Sequence, residues 1–153
     1  MQRSIWKPIV AATLISGTLD IFFAMILTVA FGRQIPNMLR TVASGPFPAA
    51  TDWGTSGAVL GLVVHYCLMA IMAIVFVLIV RARPALLDTP WRTALAYGVV
   101  TYFAMNWLVV PVRFHTPLPP KPISMATQAF AHLVLVGVVF AFVARRYLST
   151  QRS

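Results

Sequence analysis

Four stretches of the chain, roughly 8–31, 55–80, 93–114 and 124–144, each run for about twenty residues or more with at most one charged side chain. The hydrocarbon core of a bilayer is about 30 Å thick, and a helix rising 1.5 Å per residue crosses it in roughly 20 residues. Backbone N–H and C=O groups in that core find no water, so a crossing segment must satisfy them internally. Membrane strands are only about 9–11 residues long and alternate in polarity; none of these runs does either. The expected fold class is an all-α membrane protein, a four-transmembrane-helix bundle forming a single domain over residues 1–153.

Composition closes the alternatives. Charged residues make up 10% of the chain and hydrophobic ones 59%, with a mean hydropathy of +0.84. Soluble domains carry about 25% charged residues, so a soluble or disordered chain is excluded. A single cysteine, Cys67, excludes a disulfide scaffold. Inside an apolar run, it is expected to be a buried small hydrophobe.

The formal charge of +9 does not point to nucleic acid. The basic residues form no stripe. They flank the apolar runs, as Arg3, Lys7, Arg33, Arg81, Arg83, Arg145 and Arg146 illustrate. With the N-terminus, the 81–92 loop and the C-terminus on one side, that side holds Arg3, Lys7, Arg81, Arg83, Arg92, Arg145, Arg146 and Arg152. The other side holds Arg33, Arg40, Arg113 and Lys121. The excess places both termini in the cytoplasm and the 32–54 and 115–123 loops outside. The partner expected from this pattern is the lipid bilayer, with no nucleic acid. The first run carries Asp20 and no convincing small-x-small cleavage site, so it reads as a retained span rather than a signal peptide.

The loops have signals of their own. In 32–54, Met38, Leu39, Val42 and Ala43 share one face of a short helix, with Asn37 and Arg40 elsewhere, and Ser44-Gly45-Pro46 breaks it. A short interfacial helix in the first outer loop is expected. Pro117, Pro119, Pro120 and Pro122 should hold the 115–123 loop extended. Trp6, Trp53, Trp91 and Trp107 fall mostly near span ends, as an aromatic belt requires. His115 is expected to be a solvated loop residue.

Ionisable groups within spans are costly; translocon scales put Asp at about 2.5–3.5 kcal/mol at a helix centre. Asp20, His65, Asn106 and His132 supply one polar group to each span. At 1.5 Å per residue all four lie roughly 12–16 Å from the outer end of their span. Their stripes also agree: Thr13, Gly17, Asp20, Ala24 and Thr28; Gly57, Gly61 and His65; Gly98, Tyr102 and Asn106; Ser124, Gln128 and His132. Small and polar residues on such stripes mediate helix contact. The candidate site is therefore an intramembrane cluster of Asp20, His65, Asn106 and His132, with Arg40, Tyr102, Arg113 and Gln128 as outer-face contributors.

Several chemistries suit these residues. The cluster can be a structural lock, a proton relay or a site for a small polar solute. His65, His132 and Asp20 can instead ligate a divalent metal, or the two histidines a haem between helices. No cofactor is required by any motif. Phosphate loops, dinucleotide fingerprints, nucleophile elbows and metalloprotease motifs are absent, and three acids leave little for paired-carboxylate hydrolysis.

The run Thr18-Leu19-Asp20-Ile21, with Pro36, Leu39-Arg40 and Val42-Ala43-Ser44-Gly45, resembles a family of uncharacterised four-span bacterial inner-membrane proteins. Gly61-Leu62 with His65, Tyr97-Gly98, Met105-Asn106 with Val110-Pro111, and His132 with Gly137 extend that resemblance over nearly the whole chain. The chain departs from the pattern at Pro46-Phe47-Pro48 and at Val112-Arg113. The resemblance implies four spans in a bacterial inner membrane and the polar positions above; it implies no reaction. A non-enzymatic membrane protein is expected, handling protons or a small solute or serving as a structural subunit, with a homo-oligomer or accessory-subunit role open. The alternative is a haem- or metal-binding redox protein.

Overall fold

The computed structural model describes residues 5–148; Arg3 and Arg152, counted above for topology, lie outside the described residues. The protein is an all-helical four-helix membrane bundle. Its spans are Trp6–Ala30, Gly54–Ala82, Pro90–Phe114 and Pro122–Leu148, each long and apolar enough to cross a bilayer. A loop helix, Ile35–Ala43, and short 3-10 turns at Pro48–Asp52 and Pro84–Leu87 join them. There is no strand among the described residues.

The ends of the spans follow from capping chemistry more than from hydropathy. The third and fourth spans start at Pro90 and Pro122, earlier than the apolar runs alone predict. Proline suits the first helical turn because its missing N–H would have no partner there. Pro122 thus opens a helix and does not belong to the extended 115–121 stretch. The fourth span continues through Arg145 and Arg146 to Leu148, since long basic side chains can lie along a helix and reach polar surroundings. The first span closes on Gly32, at φ +69°. Arg33 N donates to Thr28 O and Gly32 N to Val29 O, both at 2.9 Å. That is a Schellman ending, and its left-handed residue favours glycine.

The first span packs on the second and fourth, and the fourth packs on the third. Towards the termini, Phe76, Val77, Val80, Phe140 and Ala141 form the best-buried core. Tyr97 joins it edge-on to Phe76, with centroids 4.8 Å apart. The third and fourth spans cross at Gly98 and Gly137. A Cβ on Gly98 would stand 2.7 Å from the His132 carbonyl, and one on Gly137 would collide with the Ala94 carbonyl. Gly57 and Gly61 serve a different contact from the interspan one their stripe suggests. They receive the 32–54 loop, with the Ala50 carbonyl against Gly57 and the Leu39 carbonyl against Gly61. The loop helix is thereby seated on the second span, about 10 Å below its first residue at 1.5 Å per residue.

Two spans contain widened π turns, at Ala104–Val109 and Ala131–Val138. The first precedes Pro111, which has no N–H to donate and whose ring crowds the carbonyl four residues back. Beside the second, Ser16 Oγ of the first span donates to the Leu135 carbonyl at 2.7 Å. A side chain engaging the backbone ladder is a recognised cause of such distortion.

Much of each span faces outward: at most 39% of any span's most apolar window is buried within the protein. Phe22, Ile26, Ile71 and Val112 are among the exposed apolar side chains, and lipid is the solvent that suits them. Cys67 belongs to this outer surface. Expected as a core residue, it lies off the buried stripe of Gly61, His65 and Met69, because apolarity within a membrane span marks lipid contact as readily as burial. Trp6 and Trp91 are exposed at the end bearing the termini and Trp53 at the other. Gly61→Ala and Gly137→Ala should each destabilise the bundle by about 1–3 kcal/mol through overpacking, whereas exposed Val63→Ala should stay within about 0.5 kcal/mol. Melting of the detergent-purified variants measures both.

Candidate functional site

Residues 16–20 of the first span build the site. Gly17 lacks a side chain where the Tyr66 ring lies, so the second span comes close; a Cβ there would stand 2.9 Å from Tyr66 Cε1. Next to it Thr18 Oγ1 and Tyr66 Oη are hydrogen-bonded at 2.8 Å. The close approach brings His65 to the first-span backbone, and its Nε2 donates to the Gly17 carbonyl at 2.9 Å. A carbonyl can only accept, so Nε2 carries a proton. The other nitrogen, Nδ1, then faces Asp20, with Oδ2 at 4.0 Å. His65 keeps 10% of its side chain exposed and Asp20 21%.

This geometry sets the proton count. One further proton can reside on Nδ1, making imidazolium and carboxylate, or on Asp20, making imidazole and carboxylic acid. Either way the pair is neutral. Without that proton it carries a net negative charge among apolar side chains.

His132 stands in a second, separate contact. It is buried, its Nδ1 lies 3.2 Å from Thr101 Oγ1, and its ring is edge-on to Tyr102 at 6.3 Å. Thr101 is also within hydrogen-bonding distance of the Tyr97 and Gly98 carbonyls, at 3.0 and 3.1 Å. Asn106 donates to the Tyr102 carbonyl at 3.2 Å, within its own span. Of the four residues on the shared level, only Asp20 and His65 face each other, at 4.0 Å, while His132 and Asn106 are bonded to groups of the third span. Trp107, in the same widened turn as Asn106, and Thr13, on the Asp20 stripe, each bury a polar side-chain atom without a hydrogen-bond partner.

The outer contributors have distinct places. Arg113 Nε donates to the Gly45 carbonyl at 2.5 Å and Nη2 to the Ser44 carbonyl at 2.6 Å. The guanidinium ties the third span to the C-terminal end of the loop helix, where exposed carbonyls attract a cation. Arg40 hydrogen-bonds Asn37 one turn back on the loop helix. Tyr102 is buried beside His132, and Gln128 is half-buried one turn before it. His115 is exposed, at φ +50°.

No group of three His, Cys, Asp or Glu side chains is placed to hold a metal ion among the described residues. His65 has Nε2 bonded to the Gly17 carbonyl and Nδ1 facing Asp20 Oδ2 at 4.0 Å. A cavity of about 420 Å³ opens between the first span and the loop helix, at the end of the bundle away from the termini, lined by Thr28, Arg33, Gln34, Asn37 and Thr41 among others. Thr28 lies on the Asp20 stripe, about 12 Å further out at 1.5 Å per residue.

Sequence reasoning passed over Thr101 and the carbonyls of Gly17 and Leu135. Thr101 carried a readable signal, being one turn past Tyr97 on the small-polar side of the third span. The carbonyls carried none, since every residue has one. Comparison with protein-family models, with curated proteins and with solved structures returned no match.

A thermal-stability cycle with Asp20→Asn and His65→Ala should show a coupling of at least about 0.5 kcal/mol. The same cycle with Asp20→Asn and His132→Ala should be additive within about 0.5 kcal/mol. Strong coupling in the second cycle would restore a single four-residue cluster. Arg113→Gln should leave the spans intact but raise hydrogen exchange across residues 41–53, because the loop helix loses both bonds at its C-terminal end.

Proposed function

We propose that the chain is a four-span protein of the bacterial inner membrane, akin to the short proteins it resembles, with both termini in the cytoplasm. Its Asp20–His65 pair binds and releases a proton inside the bilayer. The observation that carries this reading is the committed Nε2–H of His65 on the Gly17 carbonyl, which leaves Nδ1 to face the Asp20 carboxylate. The cavity beside the loop helix is lined by Thr28, on the Asp20 stripe but about 12 Å from Asp20 along the helix. The lipid-facing surface is where a second copy or a partner subunit would dock.

A second reading is a structural lock, favoured by the same His65–Gly17 bond, which would hold two spans in register without exchanging protons. Infrared difference spectra of the protein in liposomes, taken between about pH 5 and 8, separate the two. The other acids, Asp52 and Asp88, are exposed. Proton binding predicts a pH-dependent carboxyl band that disappears in Asp20→Asn and shifts in His65→Gln. A wild-type spectrum with no band removed by Asp20→Asn would reject the proton site and leave the lock.

A further inference from the structure

The second and third spans part along their length. They meet through the Phe76–Tyr97 ring contact and through Tyr97 Oη, which donates to the Met72 carbonyl at 2.7 Å. Beside these contacts lies a groove of about 410 Å³. Ile71, Val75 and Ile79 of the second span line one wall, and Ala96, Val100 and Ala104 of the third line the other. Polar groups at its edge are already engaged. Thr93 Oγ1 donates to the Leu86 carbonyl at 2.6 Å, Tyr97 is bonded as described, and Thr101 is held by its own turn and His132. The groove therefore offers a ligand an apolar wall and no hydrogen bond.

Its end towards the termini is charged. The second-span wall, 71, 75 and 79, is followed at the helix end by Arg83, which caps the span. The third-span wall, 104, 100 and 96, continues at i−4 to Arg92. Both arginines are exposed, and the 81–92 loop sets Arg81, Arg83 and Arg92 against one acid, Asp88. Trp91 beside them is 66% exposed, and tryptophan at a span end marks headgroup depth. An apolar slot lined by Ile79, Leu86 and Thr93, with the exposed Arg83 and Arg92 adjacent to that lining in the chain, has the polarity of a lipid, tail and head. Basic pockets between spans are known to take anionic headgroups.

We propose that this groove is a binding site for one acyl chain of an anionic glycerophospholipid, its phosphate held by Arg83 and Arg92. The lipid comes from the leaflet on the side of the termini. The tail completes the packing between the second and third spans, and the arginines select the negative headgroup.

Native mass spectrometry tests this on the full chain in micelles doped with either phosphatidylglycerol or phosphatidylcholine. Wild type should retain one phosphatidylglycerol in preference to phosphatidylcholine. Arg83→Gln and Arg92→Gln, both at exposed positions, should each weaken retention about fivefold, the effect of one basic residue near a charged surface. Ala96→Trp should fill the groove and abolish retention with both arginines present, its helicity checked by circular dichroism. Val100→Phe serves as the second groove variant if Ala96→Trp does not fold. Equal retention of both lipids, or undiminished retention in the arginine or groove-filling variants, would overturn the proposal. So would a lipid-free dimer abolished by the groove-filling variant, which would make a second copy the occupant.

Discussion

The bundle depends on the close approach of the first two spans at Gly17. With no side chain there, the Tyr66 ring settles against the helix, and His65 reaches the Gly17 carbonyl at 2.9 Å. One residue earlier, Ser16 bonds the Leu135 carbonyl of the fourth span. Adjacent residues of the first span thus fix it to two neighbours. The fourth span carries the third through Gly98 and Gly137. With the two helices held this close, Asp20, one turn from Gly17, faces His65 at 4.0 Å.

A common device runs through these contacts. Side chains bond backbone carbonyls of neighbouring elements more often than they bond one another: Ser16 to Leu135, His65 to Gly17, Tyr97 to Met72, Thr93 to Leu86, and Arg113 to Ser44 and Gly45. A helical carbonyl has a second lone pair after its ladder bond is made. In hydrocarbon, where an unpaired donor is expensive, that lone pair is the nearest acceptor on any adjoining helix. Glycine and widened turns bring it within reach.

This device explains which part of the site was legible beforehand. Asp20, His65, Asn106 and His132 stood out because polar side chains are rare in apolar runs, and their common depth follows from helix rise. That common depth suggested one cluster. The helices instead resolve it into an Asp20–His65 contact and a His132–Thr101 contact, because His132 is packed against the third span at the glycine crossing. Thr101 and the Gly17 carbonyl complete these contacts, and neither differs in sequence from many similar residues nearby. Cys67 shows the same limit: an apolar span has a lipid face and a buried face, and composition alone does not tell them apart.

The amino-acid sequence by itself determined the solvent, the number of spans, the helical state and the loop helix at 35–43. Each follows from the length of apolar runs, the denial of water to the backbone, or a local break such as Ser44-Gly45-Pro46, and none depends on which helix neighbours which. Tertiary structure decided the partners. It seated Gly57 and Gly61 under the 32–54 loop, set Arg113 on the end of the loop helix, and left a groove between the second and third spans. These outcomes depend on how helices rotate and cross. Crossing is settled by close packing of small residues and by carbonyl lone pairs, which only become specific once the helices are side by side.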